Sequence, residues 1–333
     1  MNRAATRRQL LVSAAGLVAC ASLAAPAIAQ ARSKIRLGHL HVVAVDGHIC
    51  TGIDRGSFDK QGIDFELSAF DTGPETFEAL AAGKVDLISA GGVVADYLAR
   101  GHGELFLIND IEVATAQLWV RPDLGVRSFA DLKGKRIATT RRTTAHIFLD
   151  RALRANNLTS SDVEIVNQRM SDNVAAFIAG EVPAVALWVP FNISVREKVP
   201  DAIKLVDASA YYPQSAVLGG WVARRDYYEG NKETLAGVIR GWADVNDYMV
   251  RNSAAAAAAL QQNHYRQTPL AIITESLRAQ KMFTSREWKR LYADGTVVKW
   301  LQQASDFFMA DAKISDATPA SKYFDPSLYL SVI

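Results

Sequence analysis

The residues best suited to bind a ligand are four threonines and two arginines that lie together at 139–144. Residues 136–140 have the apolar content of a short buried strand, and the following segment has apolar residues at helical spacing up to Ala155. Thr143 or Thr144 suits the N-cap of that helix, whose first amides have no internal partner. Unpaired amides, the positive helix end and guanidinium groups together favour a small anion. An ordinary capped helix with two solvated arginines explains the same pattern.

The first 29 residues have the pattern of an export signal. Three arginines precede an apolar run at 10–24, and the sequence AIA at 27–29 matches a small-x-small cleavage site. Residues 6–11 resemble a twin-arginine signal, although the match is incomplete. Residues 17–20 resemble a lipoprotein cleavage box that would leave Cys20 acylated, but the apolar run continues beyond it. We therefore expect simple cleavage of the signal.

The charge balance excludes a strongly basic, nucleic-acid-binding protein. The chain has 37 Lys and Arg against 35 Asp and Glu, a net charge of +2. Removal of residues 1–29 takes away three arginines, which leaves 34 basic and 35 acidic residues and a net charge of −1. Cys50 becomes the only cysteine, so there is no disulfide framework, and we expect a small buried hydrophobic residue there. No apolar run after the signal is long enough to span a membrane.

Two lobes are expected from the order of the elements. Strand-like and helix-like segments alternate over residues 34–223, which favours a largely parallel α/β arrangement. Helical patterns dominate from residue 231 onward, so the C-terminal part must pack as a helical tail. Two βαβ series follow one another, and they indicate two α/β lobes of similar plan rather than one continuous sheet.

Ligands of open α/β sheets bind beyond the carboxyl ends of the strands, and this rule selects four loops. The loops are at 41–48, 91–92, 139–144 and 188–190, and we expect all four to face one cleft. The candidate ligand-binding residues in these loops are His41, Asp46, Gly92, Arg142, Thr143, Thr144 and Trp188.

Some aromatic and acidic candidates have a structural alternative. Asp46 precedes a glycine near a predicted helix start, so it suits a helix cap as well as a contact to an amino group. Trp188 suits either stacking on a ligand or filling the core of a lobe. Trp221, which follows two glycines, is expected in the core.

Three histidines raise the question of a metal. His39 and His41 share one face of a predicted strand, and His48 could join them from the next loop. No acidic or cysteine ligand completes the set at suitable spacing, so we predict no metal. The sequence also lacks a serine nucleophile elbow, an HExxH motif and a phosphate-cradling glycine loop. We therefore predict no catalytic residue, no cofactor and no enzymatic activity.

Five short segments carry a family resemblance when their order and spacing are taken together. They are IRLG at 35–38, GIDRGSFDKQGID at 52–64, ALAAGKVD at 79–86, SFADLKGKR at 128–136, and AAFIAG at 175–180 followed by WVP at 188–190. With these segments the chain resembles the substrate-binding proteins of bacterial ABC importers, specifically the group for nitrate, taurine and aliphatic sulfonates.

The resemblance implies an α/β fold of the two-lobed periplasmic-binding-protein type (type II), in which each lobe is a mixed sheet flanked by helices. Lobe I would comprise residues 34–112 and 214–333, including the helical C-terminal tail. Lobe II would comprise residues 113–213. The chain would cross twice between the lobes, with hinges at 109–112 and 211–215.

The resemblance also implies a monomeric periplasmic protein that captures a small organic anion between its lobes. The anion would be a sulfonate, taurine, nitrate or a carboxylate, and the protein would deliver it to a membrane permease driven by an ATPase. Members of this group commonly have Gly-Ser-Thr-Ala-His where this chain has Arg142 to His146. Arg142 therefore either adds a guanidinium to the pocket or marks a different local turn.

Two alternatives remain within the same fold. One is a protein that binds or makes a thiamine or pyrimidine precursor, and the other is an extracytoplasmic sensor. The precursor-making branch carries a cysteine-rich motif, and a single cysteine in the mature chain argues against it.

Overall fold

The computed structural model describes residues 32–333, so the predicted export signal and Cys20 lie outside the described residues. The strands are β1 (Ser33–Leu40), β2 (Ile63–Phe70), β3 (Leu87–Ala90), β4 (Glu104–Ile111), β5 (Ala116–Val120), β6 (Arg136–Thr139), β7 (Glu164–Asn167), β8 (Ala184–Trp188), β9 (Ile203–Asp207) and β10 (Leu218–Ala223). The α-helices are α1 (Val43–Asp54), α2 (Gly73–Ala81), α3 (Val94–Ala99), α4 (Thr144–Ala155), α5 (Met170–Ala179), α6 (Asn192–Lys198), α7 (Arg225–Gly230), α8 (Lys232–Arg251), α9 (Ser253–Asn263), α10 (Leu270–Arg278), α11 (Ser285–Ala293), α12 (Thr296–Ala312), α13 (Ala320–Tyr323) and α14 (Pro326–Val332).

The strands form two sheets of the same plan. The strand order is β2-β1-β3-β10-β4 in the first sheet and β7-β6-β8-β5-β9 in the second. In each order the first three strands are parallel, and one strand, β10 or β5, is antiparallel to both of its neighbours. Four of the five strands in each sheet therefore run in one direction, as the expected largely parallel arrangement requires. The mixed sheets predicted for the two lobes are confirmed by the one strand in each that runs against the others. The reason is that β5 and β10 enter directly from the other sheet, without the crossover helix that makes neighbouring strands parallel.

Two connections join the sheets. The chain passes from the first sheet to the second between Ile111 and Ala116, and it returns between Asp207 and Leu218. We call the first sheet with its helices lobe I and the second sheet with its helices lobe II. The two predicted hinges overlap these connections; their bending and the predicted lobe boundaries stay predictions.

Each lobe has its own apolar interior. In lobe I the C-terminal helices pack onto the sheet, and Trp221 of β10 shares one buried core with Trp242 of α8. This confirms the core position predicted for Trp221, and Cys50 is likewise a buried hydrophobic residue at 4% exposure. In lobe II, separate clusters form around Phe148 of α4 and Phe177 of α5. None of the helices within residues 32–333 is both long and apolar enough to cross a membrane.

Candidate functional site

A cavity of about 50 Å³ lies between the two lobes. Most of its lining comes from lobe I and the remainder from lobe II, and the lining residues are Leu40, Val42, Val45, Gly73, Gly91, Val93, Thr143, Thr144 and Trp188. The cavity is at the carboxyl ends of β1, β3, β6 and β8, where the topology of open α/β sheets places ligands. Of the predicted candidates, Thr143, Thr144 and Trp188 are in the lining.

Four helices begin at this cavity. Val42 immediately precedes α1, Gly73 is the first residue of α2, Val93 precedes α3 and Thr143 precedes α4. The first amides of a helix have no intrahelical acceptor, and the helix dipole is positive at this end. The lining residues include no lysine or arginine. The lining therefore offers backbone amides, rather than charged side chains, as hydrogen-bond donors to a ligand.

The two threonines begin α4 as predicted, but neither hydroxyl caps the helix. Thr143 Oγ1 donates to the carbonyl of Thr140 at 2.7 Å, and Thr144 Oγ1 donates to Glu112 Oε1 at 3.1 Å. The backbone amide of Gly92 donates to the same carboxylate oxygen at 2.9 Å. The predicted candidate Gly92 thus lies directly behind the cavity, and Glu112 joins its turn in lobe I to the start of α4 in lobe II.

This close approach requires glycine at both positions of the turn. A Cβ atom on Gly91 would lie 2.5 Å from Glu112 Oε1, and one on Gly92 would lie 2.3 Å from a side-chain carbon of Val217. Both distances are shorter than van der Waals contact permits. A side chain at Gly91 would therefore displace the carboxylate that joins the lobes, and one at Gly92 would displace Val217.

Two carboxyl groups are buried behind the cavity, one near the end of β4 and one in the connection to β5. Asp110 is 0% exposed and Glu112 is 5% exposed, and neither Asp110 oxygen has a hydrogen-bond partner among residues 32–333. Burial raises the pKa of both groups, and the neighbouring Glu112 raises that of Asp110 further. Hydrogen bonds from Thr144, Thr115 and Gly92 partly oppose this rise at Glu112. The pair consequently holds protons more tightly than exposed carboxyl groups do.

Arg142 is at the rim of the cavity and not in its lining. Its Nε donates to Asp96 in lobe I at 2.6 Å, and its guanidinium carbon lies 5.0 Å from the centre of the Tyr97 ring. The backbone of Arg142 is left-handed, with φ 60°, which is the conformation that glycine adopts most readily. The amide of Arg142 donates to His146 Nδ1 at 3.1 Å, so His146 holds this turn. Arg142 therefore connects the lobes beside the cavity.

Further ion pairs connect the lobes. Arg169 of lobe II donates to Asp71 at 2.7 Å and to Glu75 at 2.9 Å, both in lobe I. Arg196 of α6 pairs with Glu275 of α10 at 2.7 Å. With these pairs formed, the two lobes are in contact around a cavity that is smaller than a typical ligand pocket.

His41 and Asp46 lie outside the inter-lobe cavity. Asp46 is in the first turn of α1 and fully buried, and it accepts hydrogen bonds from His41 at 2.6 Å and from the Tyr265 hydroxyl. Asp46 is therefore not the cap of this helix, which begins earlier than expected. The hydrogen bond to Asp46 raises the pKa of His41. Burial alone would raise the pKa of Asp46, but hydrogen bonds from His39, His41 and Tyr265 outweigh it and lower that pKa.

The histidines do not converge on one point. His39 and His41 both approach Asp46, whereas His48 pairs with Asn246 of α8 at 3.2 Å. Burial lowers the pKa of His48 to about 4, so its imidazole is neutral. Within the described part of the chain, no group of three or more His, Cys, Asp or Glu side chains could hold a metal ion.

The sequence did not predict the apolar side chains that lobe I contributes to the lining, nor did it predict the hydrogen bonds by which Glu112 joins the lobes. Leu40, Val42, Val45 and Val93 lie in or next to the selected strand-end loops, so their backbone position was open to prediction. The directions of their side chains depend on how the loops of two lobes meet, which the local sequence pattern does not contain.

Two lobes of one plan, joined by two connections and with helix starts around a cavity between them, define the class of two-lobed ligand-binding proteins. The model of the family described as NMT1/THI5 like matches residues 47–256, more than half of the chain. The chain therefore belongs to the NMT1/THI5-like family.

Curated relatives agree with this class. A protein of Brucella abortus, named only as a binding protein, is 24% identical over 300 residues, which cover 90% of this chain and 92% of the relative. The taurine-binding periplasmic protein of Escherichia coli K12 is 27% identical over 196 residues, which cover 58% of this chain and 60% of the relative.

Solved structures confirm the predicted two-lobed periplasmic-binding-protein fold. The alkanesulfonate-binding protein SsuA from Xanthomonas axonopodis pv. citri, bound to MOPS, aligns with a TM-score of 0.71 over 88% of this chain and 98% of that chain, at 21% identity. The desulfurization enzyme DszB aligns with a TM-score of 0.61 over 90% of this chain and 98% of that chain, at 15% identity. The same fold thus accommodates binding proteins and an enzyme, and the fold alone does not decide between them.

Proposed function

We propose that this protein is the solute-binding component of a bacterial ABC importer and that it captures a small organic anion between its lobes. The names of the relatives support this class, since they are binding proteins and one is a periplasmic taurine-binding protein. The protein would act as a monomer in the periplasm and deliver its ligand to a membrane permease driven by an ATPase. It would not catalyse a reaction on the ligand.

The composition of the inter-lobe cavity is the observation that supports this ligand class. Four helix starts meet at a cavity whose side chains are mostly apolar, with Thr143 and Thr144 as the hydroxyl-bearing exceptions. Backbone amides at helix starts suit the oxygens of a sulfonate or carboxylate. Leu40, Val42 and Trp188 suit a short alkyl or aryl group attached to that anion. An organic sulfonate or carboxylate has both parts, whereas nitrate has only the first.

The expected mechanism is closure of the lobes on the ligand. Shifting a population from mostly open to mostly closed requires about 5.5 kcal/mol of differential affinity. Hydrogen bonds to a charged group contribute about 1.5–3 kcal/mol each, so two or three such bonds to the helix amides are sufficient. The ion pairs of Arg142 and Arg169 would form as the lobes meet.

The position of Cys50 supports a binding role. Cys50 is buried in the core of lobe I, and burial with the nearby Asp46 and Asp54 raises the pKa of its thiol. A thiol in this environment is a poor nucleophile. The imidazole of His48 is also enclosed in the core and faces Asn246.

The proposal is tested by calorimetric titration and thermal unfolding with four probes of similar size. The probes are propane-1-sulfonate, butanoate, propan-1-ol and propylammonium chloride. A specific ligand at 100 times its dissociation constant stabilises the folded state by about 2.7 kcal/mol, which is readily detected. We expect binding of one or both anions and none of the alcohol or the cation. Binding of the alcohol or the cation in preference to both anions would contradict the proposal.

A further inference from the structure

A second cavity, of about 460 Å³, adjoins the first one at Val42, which lines both. It is formed by the end of β1, the segment between α9 and α10, and Pro190 from lobe II. Its lining includes His41, Val42, Pro190, His264, Tyr265 and Arg266. Because both lobes contribute, a molecule in this cavity would contact the two lobes, as one in the first cavity would.

The lining of the second cavity has cationic and neutral polar groups but no carboxylate of its own. His41, His264 and Arg266 are the three side chains in it that carry or can acquire a positive charge. Arg266 is exposed, and its Nε donates to the carbonyl of Gln262 at 3.2 Å. That single bond leaves the two terminal guanidinium nitrogens of Arg266 available to a ligand.

The imidazoles of His41 and His264 each contact a carboxylate that lies outside the cavity lining. Asp46 accepts from His41 Nδ1 at 2.6 Å, and Asp54 lies 2.9 Å from His264 Nε2. His41 also stacks on the Tyr265 ring, with ring centres 4.3 Å apart and planes 9° apart. Each imidazole is therefore oriented by a partner that lies outside the lining, as in a preorganised site.

We propose that this second cavity is an anion subsite that takes the distal carboxylate, phosphate or sulfonate of a ligand whose first anionic group lies in the inter-lobe cavity. The inference rests on the proposed function and narrows its ligand class to molecules with two anionic ends. Arg266 and His264 contact the distal group, and Asp46 and Asp54 are positioning residues. The cavity volumes agree with one end of the ligand in each cavity. The first cavity holds little more than one small group, while the second has room for a longer chain.

The experiment compares matched monoanions and dianions by calorimetry. The probes are the alkane-1-sulfonates with two to six methylene groups and the ω-sulfoalkanoates of the same lengths. We expect the dianion to bind at least ~10-fold more tightly at one or more lengths, as a charge-assisted hydrogen bond at the distal end allows. In the Arg266→Gln variant this ratio should fall to ~2 or less, with the affinity for the monoanion unchanged.

Arg278→Gln is the matched control, because Arg278 is an exposed arginine of the same lobe that does not line either cavity. It should leave the ratio unchanged. A dianion-to-monoanion ratio near one at every length, or a ratio that Arg266→Gln does not alter, would overturn the subsite.

A second readout separates this inference from the proposed function. Inorganic sulfate is titrated while the imidazole proton resonances of His41 and His264 are followed by NMR, in the unaltered protein and in Arg266→Gln. We expect saturable shifts that the variant weakens several-fold. If neither an alkanesulfonate nor butanoate binds but these shifts occur, the proposed function is wrong and the subsite stands. If the shifts are absent or are the same in the variant, the subsite is wrong.

Discussion

The Thr144 hydroxyl donates to Glu112 Oε1 at 3.1 Å, so a side chain at the start of a lobe II helix is bonded directly to a buried carboxylate in the connection between the lobes. Gly92 of lobe I donates to the same oxygen at 2.9 Å. This three-way contact lies behind the cavity and joins the two lobes. We therefore expect this contact to contribute both to ligand binding and to stability.

Thr144→Val should weaken ligand binding and lower stability. The variant keeps the shape of the side chain but removes a donor to a buried carboxylate, which costs about 1–3 kcal/mol. Urea unfolding and calorimetry with propane-1-sulfonate measure the two effects. Thr274→Val is the control, because the Thr274 hydroxyl donates only to the carbonyl of Leu270 in its own helix. Equal effects of the two substitutions would contradict a special role for Thr144.

Arg142→Ala should weaken anion binding and change the melting temperature by no more than a degree or two. The variant loses the 2.6 Å contact to Asp96 across the lobes, but Asp96 keeps its bond from Arg100 at 2.8 Å, so the buried carboxylate stays paired. Calorimetry measures the affinity for the anion, and thermal unfolding measures the melting temperature. An unchanged affinity would remove Arg142 from the closing contacts.

Arg169→Gln should raise the rate of ligand release. The side chains of Arg169 and Asp71 are more than half exposed, and that of Glu75 is about a third exposed, so solvent screening keeps the contribution of these pairs small. We therefore expect at most a several-fold effect, measured by stopped-flow displacement, and a smaller one at high salt. Arg154→Gln is the matched control, since Arg154 pairs with Asp150 at 2.7 Å within α4. A release rate that is equal in both variants would contradict a role in closure.

Asp110→Asn should reduce the loss of stability that accompanies rising pH. The pKa of Asp110 is raised in the folded protein, so the folded state keeps a proton that the unfolded state has already released. Stability from this group is therefore full below the unfolded pKa of about 3.9 and is lost as pH rises through the folded value. Glu112, whose pKa is also raised, acts with the same sign and remains in the variant.

Urea unfolding from pH 4 to pH 8 measures this difference between the variant and the unaltered protein. Carboxylates with a lowered pKa, such as Asp46 and Asp86, give the opposite slope, but they are common to both proteins and cancel in the difference. The exposed Asp201→Asn variant is the control and should show no such change. Parallel pH profiles for Asp110→Asn and the unaltered protein would show that Asp110 does not titrate as its burial requires.

Local patterns predicted individual elements well. The predicted strand at 136–140 and the predicted helix up to Ala155 correspond to β6 and α4, because apolar periodicity and turn-forming residues determine both locally. The cap proposed for α4 was wrong in its detail, since the hydroxyls of Thr143 and Thr144 bond to Thr140 and Glu112 instead.

Local sequence patterns did not predict the contacts between segments that are distant in the chain. The antiparallel insertion of β5 and β10 follows from how the chain crosses between sheets, and no periodicity in either strand records it. Likewise Arg142 has the composition of an anion-binding residue, but its partner Asp96 is 46 positions away in the chain and in the other lobe. The loops around the cavity and three of its lining residues, Thr143, Thr144 and Trp188, were predictable, whereas the apolar side chains that lobe I contributes were not.

The most direct test of the central claim is a crystal structure of the protein with bound propane-1-sulfonate. We expect a sulfonate oxygen within hydrogen-bonding distance, about 2.7–3.2 Å, of a backbone amide in the first turn of α4, with the propyl group against Trp188 and Val42. Electron density for the ligand elsewhere on the protein, with the start of α4 unoccupied, would contradict it.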